Sequence, residues 1–276
     1  FGSRFFNSKQ GIFDPLSLGS FGLSPMAAAA HYADIENQNK ARSGLHGISP
    51  EQVRLDFIRK VYGIVCAQLC FTVAFVALAT EGPLKEPLLK FVVTRPNLFH
   101  YGTLISSFAS LFLLMAFKKT YPLNLYVLGF FTLVISLDVA VVCAIVNAIG
   151  LGQLVVQAGL ITALITGGLT LYAFRSKRDF SFLGALLFPM LFGLTCYGFL
   201  SAFFPSLRMG AMGLAYSAGG ALIFCGYIVF DTWRILNKLQ PDDFVEGAIQ
   251  LYLDIINLFL HILDILVKLA KNSSRN

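Results

Sequence analysis

Charge is scarce in this sequence. Only 13% of its 276 residues are Asp, Glu, Lys or Arg, against roughly 25% in a typical soluble domain, and that shortage excludes an ordinary water-facing surface. Paired cysteines are missing as well. Cys66, Cys70, Cys143, Cys196 and Cys225 stand inside apolar runs with no CxxC among them, so they read as small buried hydrophobes rather than disulfides or metal ligands. No glycine-rich loop that would cradle a phosphate and no soluble-enzyme motif is present, so neither a nucleotide cofactor nor an enzymatic activity is expected. A secretory signal is not expected either, because no apolar core follows the basic start of the sequence. The opening on Phe1 is that of a processed precursor or an incomplete chain, and a trimmed organellar presequence fits it.

What the chain has in abundance is apolar surface: 56% of its residues are hydrophobic and its mean hydropathy is +0.71. These values imply an integral membrane protein whose first partner is the lipid bilayer. The net charge of +6 does not argue for nucleic acid. The basic residues sit singly or in pairs between apolar runs, where membrane topology accounts for them.

Residues 1–50 read as a polar, extended tail rich in Gly, Ser, Asn and Ala, a candidate surface for membrane-protein partners. Ser49-Pro50 then marks a helix start. Residues 51–270 form the membrane domain and 271–276 a short polar end. Apolar runs of bilayer-spanning length fall at about 61–80, 101–117, 123–147, 153–174, 181–203, 211–233 and 248–268. The expected fold is therefore an all-α bundle of seven transmembrane helices, with short links that make consecutive helices antiparallel neighbours.

Arg54, Arg59, Lys60, Lys118, Lys119, Arg175, Lys177, Arg178, Arg234 and Lys238 fall on one side of such a bundle, which should be cytoplasmic, or matrix-facing in an organelle. A seventh full crossing sends Lys268, Lys271 and Arg275 to the other side and weakens this bias, so a half-membrane or re-entrant last segment stays open. Small residues recur at close-packing spacing, Gly159 with Ala163 and Gly167, Ala211 with Ala215, Gly213 with Ser217, and are expected to be packing surfaces between helices.

The last run, QLYLDIINLFLHILDILVK, carries the chemistry. Gln250, Asp254, Asn257, His261 and Asp264 are spaced by four, three, four and three residues, so they share one narrow helix face. Polar groups at that depth are costly unless they look into a bundle or a cavity. The preceding run contains FDTWR, in which Asp231 and Arg234 are spaced for an ion pair. The two runs are joined by a loop read as Asn237–Gly247, so they should pack antiparallel with Asp231 and Asp254 at similar depth. A local Asp231–Arg234 pair is one reading. The sharper one has Asp231 facing Asp254, where two carboxylates in low dielectric share one proton and so sense pH.

The segments MGLAYSAGGALIFCGYIVFDTWRIL and AIQLYLDIINLFLHILDIL resemble the signature of the Bax-inhibitor-motif transmembrane family, which includes the Lifeguard and Golgi anti-apoptotic proteins. FIRKVYGIVCAQLCFTV, KKTYPLNLYVLGFFTL and KRDFSFLG extend the likeness over about residues 50–270. The resemblance implies a bundle with the last helix central, wrapped by the other six, and a pH-sensitive calcium leak whose paired aspartates map onto Asp231 and Asp254, with only transient cation contact there. It also implies a basic latch at the end of the second helix, where this chain has Thr120 preceded by Lys118 and Lys119. Asp138 departs from the small residue expected at its position and is read as part of a cation pathway or as a partner for a lysine. His261 reads as a hydrogen-bonded core residue or a proton-linked group, and Asp264 as a solvated end-of-helix charge.

Three functions fit these features. The first is a pH-gated calcium leak in an endoplasmic reticulum or Golgi-type membrane, with a role in cell death or ion homeostasis. The second is a non-conducting regulator or structural subunit of an organellar complex, for instance in the mitochondrial inner membrane. The third is an intramembrane aspartyl protease, which Phe230-Asp231 and Leu253-Asp254 fit poorly, since such enzymes present Tyr-Asp and Gly-x-Gly-Asp.

Overall fold

The computed structural model describes Asp34 and residues 50–118, 120–208 and 210–273. The expectations for the rest of the N-terminal tail and for Lys119 lie outside the described residues. The chain divides into two compact units, residues 1–53 and 54–276, and the helical bundle belongs to the second.

Eight α-helices make up the described architecture: α1 Pro50–Thr80, α2 Lys85–Thr94, α3 Pro96–Phe117, α4 Leu123–Ala148, α5 Gly152–Arg175, α6 Ser181–Phe203, α7 Gly210–Asn237 and α8 Phe244–Ser273. Prolines open α1 and α3, where a missing N–H costs no hydrogen bond and the fixed φ suits the first turn. At the end of α4, Gly150 takes a φ of 81°. Its N–H donates to the Asn147 carbonyl and that of Leu151 to the Val146 carbonyl, the paired bonds of a Schellman stop. A 3₁₀ turn, Pro241–Asp243, leads into α8, with the Gln240 N–H donating to Asp243 Oδ2 at 3.2 Å.

Five stretches are long and apolar enough to cross a membrane: Glu51–Thr80, Leu123–Ala148, Gly152–Arg175, Ser181–Ser201 and Gly210–Asn237. Tyr101–Phe117 of α3 is a shorter apolar stretch. Large apolar side chains point away from the bundle, Leu164 being 77% exposed and Leu222 73% exposed, as a lipid-facing surface requires. The protein is thus an all-helical integral membrane protein.

Helix α8 is the axis of the bundle. It packs along α7, α5 and α4, and Tyr252 reaches α1, its hydroxyl lying 2.9 Å from Thr72 Oγ1. Helix α6 packs on α7 and α3 on α4, which leaves the last helix central. It is unbroken over 30 residues, about 45 Å at 1.5 Å per residue, with no re-entrant break. Phe131, Ile228, Tyr252 and Leu258 are essentially fully buried around it. Within this core a chain of hydroxyls and one amide joins α1, α4 and α8. Gln68 Nε2 donates to Thr132 Oγ1 at 2.8 Å, and Thr72 Oγ1 lies 2.8 Å from Ser136 Oγ. In hydrocarbon such bonds fix how helices meet, at modest energy each.

The small-residue expectation holds only in part. Gly213 and Ser217 are buried against α8, whereas Ala211 and Ala215 are exposed. A side chain added at Gly159 or Gly167 would meet nothing within 4 Å. These two glycines and Ala163 instead line an apolar groove of about 860 Å³ between α1 and α5, floored by Leu251 and Ile255 of α8. The cysteines also depart from expectation: Cys143 is buried, but Cys66, Cys70 and Cys196 are exposed, and all five are free thiols.

Candidate gating site

The polar face of α8 lies along α7, the two helices forming one antiparallel hairpin. Asp231 of α7 and Asp254 of α8 are 4% and 6% exposed, and their carboxyls are close neighbours in the buried seam. Asp231 has two neighbours at this depth. It faces Asp254, and it also accepts a hydrogen bond from Arg234 Nη1 at 3.1 Å. Asp254 Oδ2 is buried and receives no N–H or O–H among the described residues.

Arg234 does more than pair locally. Its Nη1 donates to Gln250 Oε1 at 2.8 Å and its Nη2 to Glu246 Oε1 at 3.3 Å. Glu246 Oε2 in turn accepts from Lys118 Nζ, just past the end of α3, at 2.6 Å. The latch expectation is corrected here: Lys118 reaches across, but to Glu246 rather than to Asp231. The hydrogen bond from Lys118 holds the Glu246 carboxyl below its ordinary range, against the opposing effect of partial burial. Asp231, Asp254 and Glu246 bring three carboxyls to this end of the hairpin, and Arg234 and Lys118 bring two cations. One proton on the aspartate pair makes the cluster neutral, the favourable state for a partly buried group of charges.

The geometry of this end is set from α1. Arg54 donates to the carbonyls of Leu236 and Ile235 in the last turn of α7 and of Leu239 just beyond it, at 2.9, 2.6 and 2.5 Å, satisfying acceptors left free where the helix stops. A cation there also complements the negative end of the helix dipole. The Lys60 ammonium sits 3.3 Å from the centre of the Phe244 ring at the start of α8, a cation–π contact that favours this turn.

The remaining stripe residues have other partners. Asn257 Nδ2 donates to the Leu253 carbonyl of its own helix at 2.8 Å. The His261 ring lies against Phe224 with centroids 5.7 Å apart and edge-on to Tyr216 at 5.5 Å. The contact is possible because residue 220 is glycine, since a Cβ there would overlap the imidazole. Asp264 is not a free end charge. Lys268 Nζ donates to it at 2.5 Å and to the Gly213 carbonyl at 2.8 Å, and Ser217 Oγ also donates to Asp264. Asp138 of α4 accepts from Ser107 Oγ of α3 at 2.6 Å, so its partner is a serine and not a lysine. The apolar groove is lined by neither Asp231 nor Asp254. Among the described residues no three His, Cys, Asp or Glu side chains converge as a metal cage.

Glu246 is the residue of this charged cluster that the sequence reading left out. Read as loop up to Gly247, it carried no face. Extending the stripe back by four residues from Gln250 lands on it, and that spacing was the available signal.

Residues 54–272 match the family described as inhibitor of apoptosis-promoting Bax1. The chain belongs to this family. Among Bax1-inhibitor relatives, protein lifeguard 4 of Mus musculus is 41% identical over 219 residues, 79% of this chain and 87% of its own length. The Golgi anti-apoptotic protein of Vaccinia virus (strain Lister) is 40% identical over 214 residues, covering 78% and 86% of the two chains. Protein LIFEGUARD 1 of Arabidopsis thaliana is 36% identical over 220 residues, covering 78% and 90%. The matched region of this Bax1-inhibitor family member contains the α7–α8 hairpin up to residue 272 and the Lys118 turn.

Proposed function

We propose that this family member is a pH-sensitive cation leak channel of an intracellular membrane, with calcium as the permeant ion, operated by the Asp231–Asp254 pair. The observation that carries the reading is the buried Asp254 carboxyl oxygen without a donor, set beside a second buried carboxyl. Two full negative charges about 4 Å apart repel by roughly 4 kcal/mol at an effective dielectric near 20, so a proton between them holds α7 and α8 together. Its loss drives the helices apart and leaves a negative mouth that a passing cation neutralises. Carboxylate and carbonyl oxygens suit calcium, and contact with it is transient.

In this reading the chain crosses the bilayer seven times, with α3 and α8 completing the five long apolar helices. The relay of Lys118, Glu246 and Arg234 then stands at the basic, cytoplasmic end, and Asp264 with Lys268 at the other. The name of the vaccinia relative, Golgi anti-apoptotic protein, supports a Golgi type of endomembrane and a role in restraining cell death. The test is calcium flux into liposomes holding the purified protein. The wild type should conduct more as pH rises through the titration of the pair, and Asp231→Asn and Asp254→Asn should each remove that dependence. Unchanged pH profiles in both variants would refute the reading.

A further inference from the structure

Glu246 stands where three elements meet: on α8 one turn before Gln250, against Arg234 of α7, and against Lys118 from the end of α3. Arg234 is shared. One of its nitrogens serves Asp231 and Gln250 and the other serves Glu246, so the guanidinium is divided between the aspartate pair and a competing carboxylate. The other charged groups near this corner are engaged elsewhere, Arg54 on the α7 carbonyls, Lys60 over Phe244 and Asp243 on the Gln240 backbone. From α1, Tyr62 lies 3.2 Å from Thr232 Oγ1 and adds no charge.

We propose that Glu246 is a positioning residue of the gate, the acceptor that sets how much of Arg234 reaches Asp231 and that ties this balance to the end of α3 through Lys118. The proposal rests on the reading of the aspartate pair as a proton-operated gate. With Glu246 neutralised, Arg234 is drawn wholly towards Asp231, so the ionised pair is better compensated and the gate opens at lower pH. With Lys118 removed, Glu246 loses its own counter-charge and takes a larger share of Arg234, so the gate opens at higher pH. The end of α3, where the chain turns into α4 through the Lys118 segment, thereby acquires control over a pair on two other helices. Movement of that end away from α8 would withdraw Lys118 and have the same sign as its deletion.

Two measurements test this on the full-length protein. In proteoliposomes the pH midpoint of calcium flux should fall by roughly half to one unit in Glu246→Gln and rise in Lys118→Gln, the size expected for one partly screened charge. In the double variant the Lys118→Gln shift should shrink, because Lys118 acts through Glu246. Separately, acylation of Lys118 by a water-soluble ester, read by mass spectrometry on purified protein, should speed up several-fold in Glu246→Gln. Shifts of the same sign in the two single variants would overturn the proposal, as would unaltered Lys118 acylation. If the wild type shows no pH-dependent flux, the gate reading fails on that ground, and the acylation result still decides whether Glu246 holds Lys118.

Discussion

Replacing Gly220 with alanine tests the α7–α8 seam at the point where it is tightest. An ideal Cβ on residue 220 would stand 2.6 Å from His261 Nδ1 and closer still to Cε1 and Nε2. The ring has little freedom to retreat, with Phe224 on one side at a 27° interplanar angle and Tyr216 edge-on at 64°. Forcing one methyl into such a contact costs about 1–3 kcal/mol. Reversible unfolding in mixed detergent, followed by the fluorescence of Trp233, the single tryptophan, reads this directly. Removing the ring supplies the control: in a His261→Ala background the added methyl has room, so its cost should fall to within about 0.5 kcal/mol of zero. The cycle should then return a coupling of about 1–2.5 kcal/mol. Equal costs of Gly220→Ala in the two backgrounds would show that the imidazole does not set the spacing of the hairpin.

Arg54→Gln should destabilise the protein by about 2–3 kcal/mol in the same assay, because it removes charge-assisted bonds to three carbonyls at the end of α7. Arg54→Lys should recover less than half, since an ammonium cannot reproduce the planar fork, and full recovery would contradict that account. Glu246→Gln should cost at most about 1 kcal/mol, given a partly exposed bridge to Lys118. The Glu246 carboxyl is held below its ordinary range by that hydrogen bond. Its contribution is therefore fully present above the ordinary glutamate value and disappears only as pH falls through the depressed one. A stability gap between wild type and Glu246→Gln that widens on acidification would contradict the assignment.

How far the site was legible depends on how local its signals are. The polar face of α8 is written in the spacing of Gln250, Asp254, Asn257, His261 and Asp264, and helix geometry alone places these groups together. The apposition of Asp231 and Asp254 follows from a hairpin joined by a short turn. Partners across the bundle are different, because they depend on rotations and side-chain reach that no period encodes. Lys118 found Glu246 rather than Asp231, and Asp138 found Ser107 rather than a lysine, since a serine hydroxyl one helix away satisfies a carboxyl as well as a distant ammonium does. The buried set of Gln68, Thr72, Thr132, Ser136 and Tyr252 was invisible because a hydroxyl within an apolar run looks like any other short side chain. Gly159, Ala163 and Gly167 mark a close approach only when another helix arrives. Here that face lines a groove.

A single proton held between Asp231 and Asp254 is tested most directly by infrared difference spectroscopy on the reconstituted protein. Between mildly acidic and mildly alkaline pH, the wild type should lose the carbonyl band of a single protonated carboxyl and gain carboxylate absorption. In Asp254→Asn, Asp231 keeps Arg234 as its partner and loses the second carboxyl, so the band should be absent throughout. A protonated-carboxyl band that persists in Asp254→Asn with the same pH dependence would place the proton elsewhere and contradict the account.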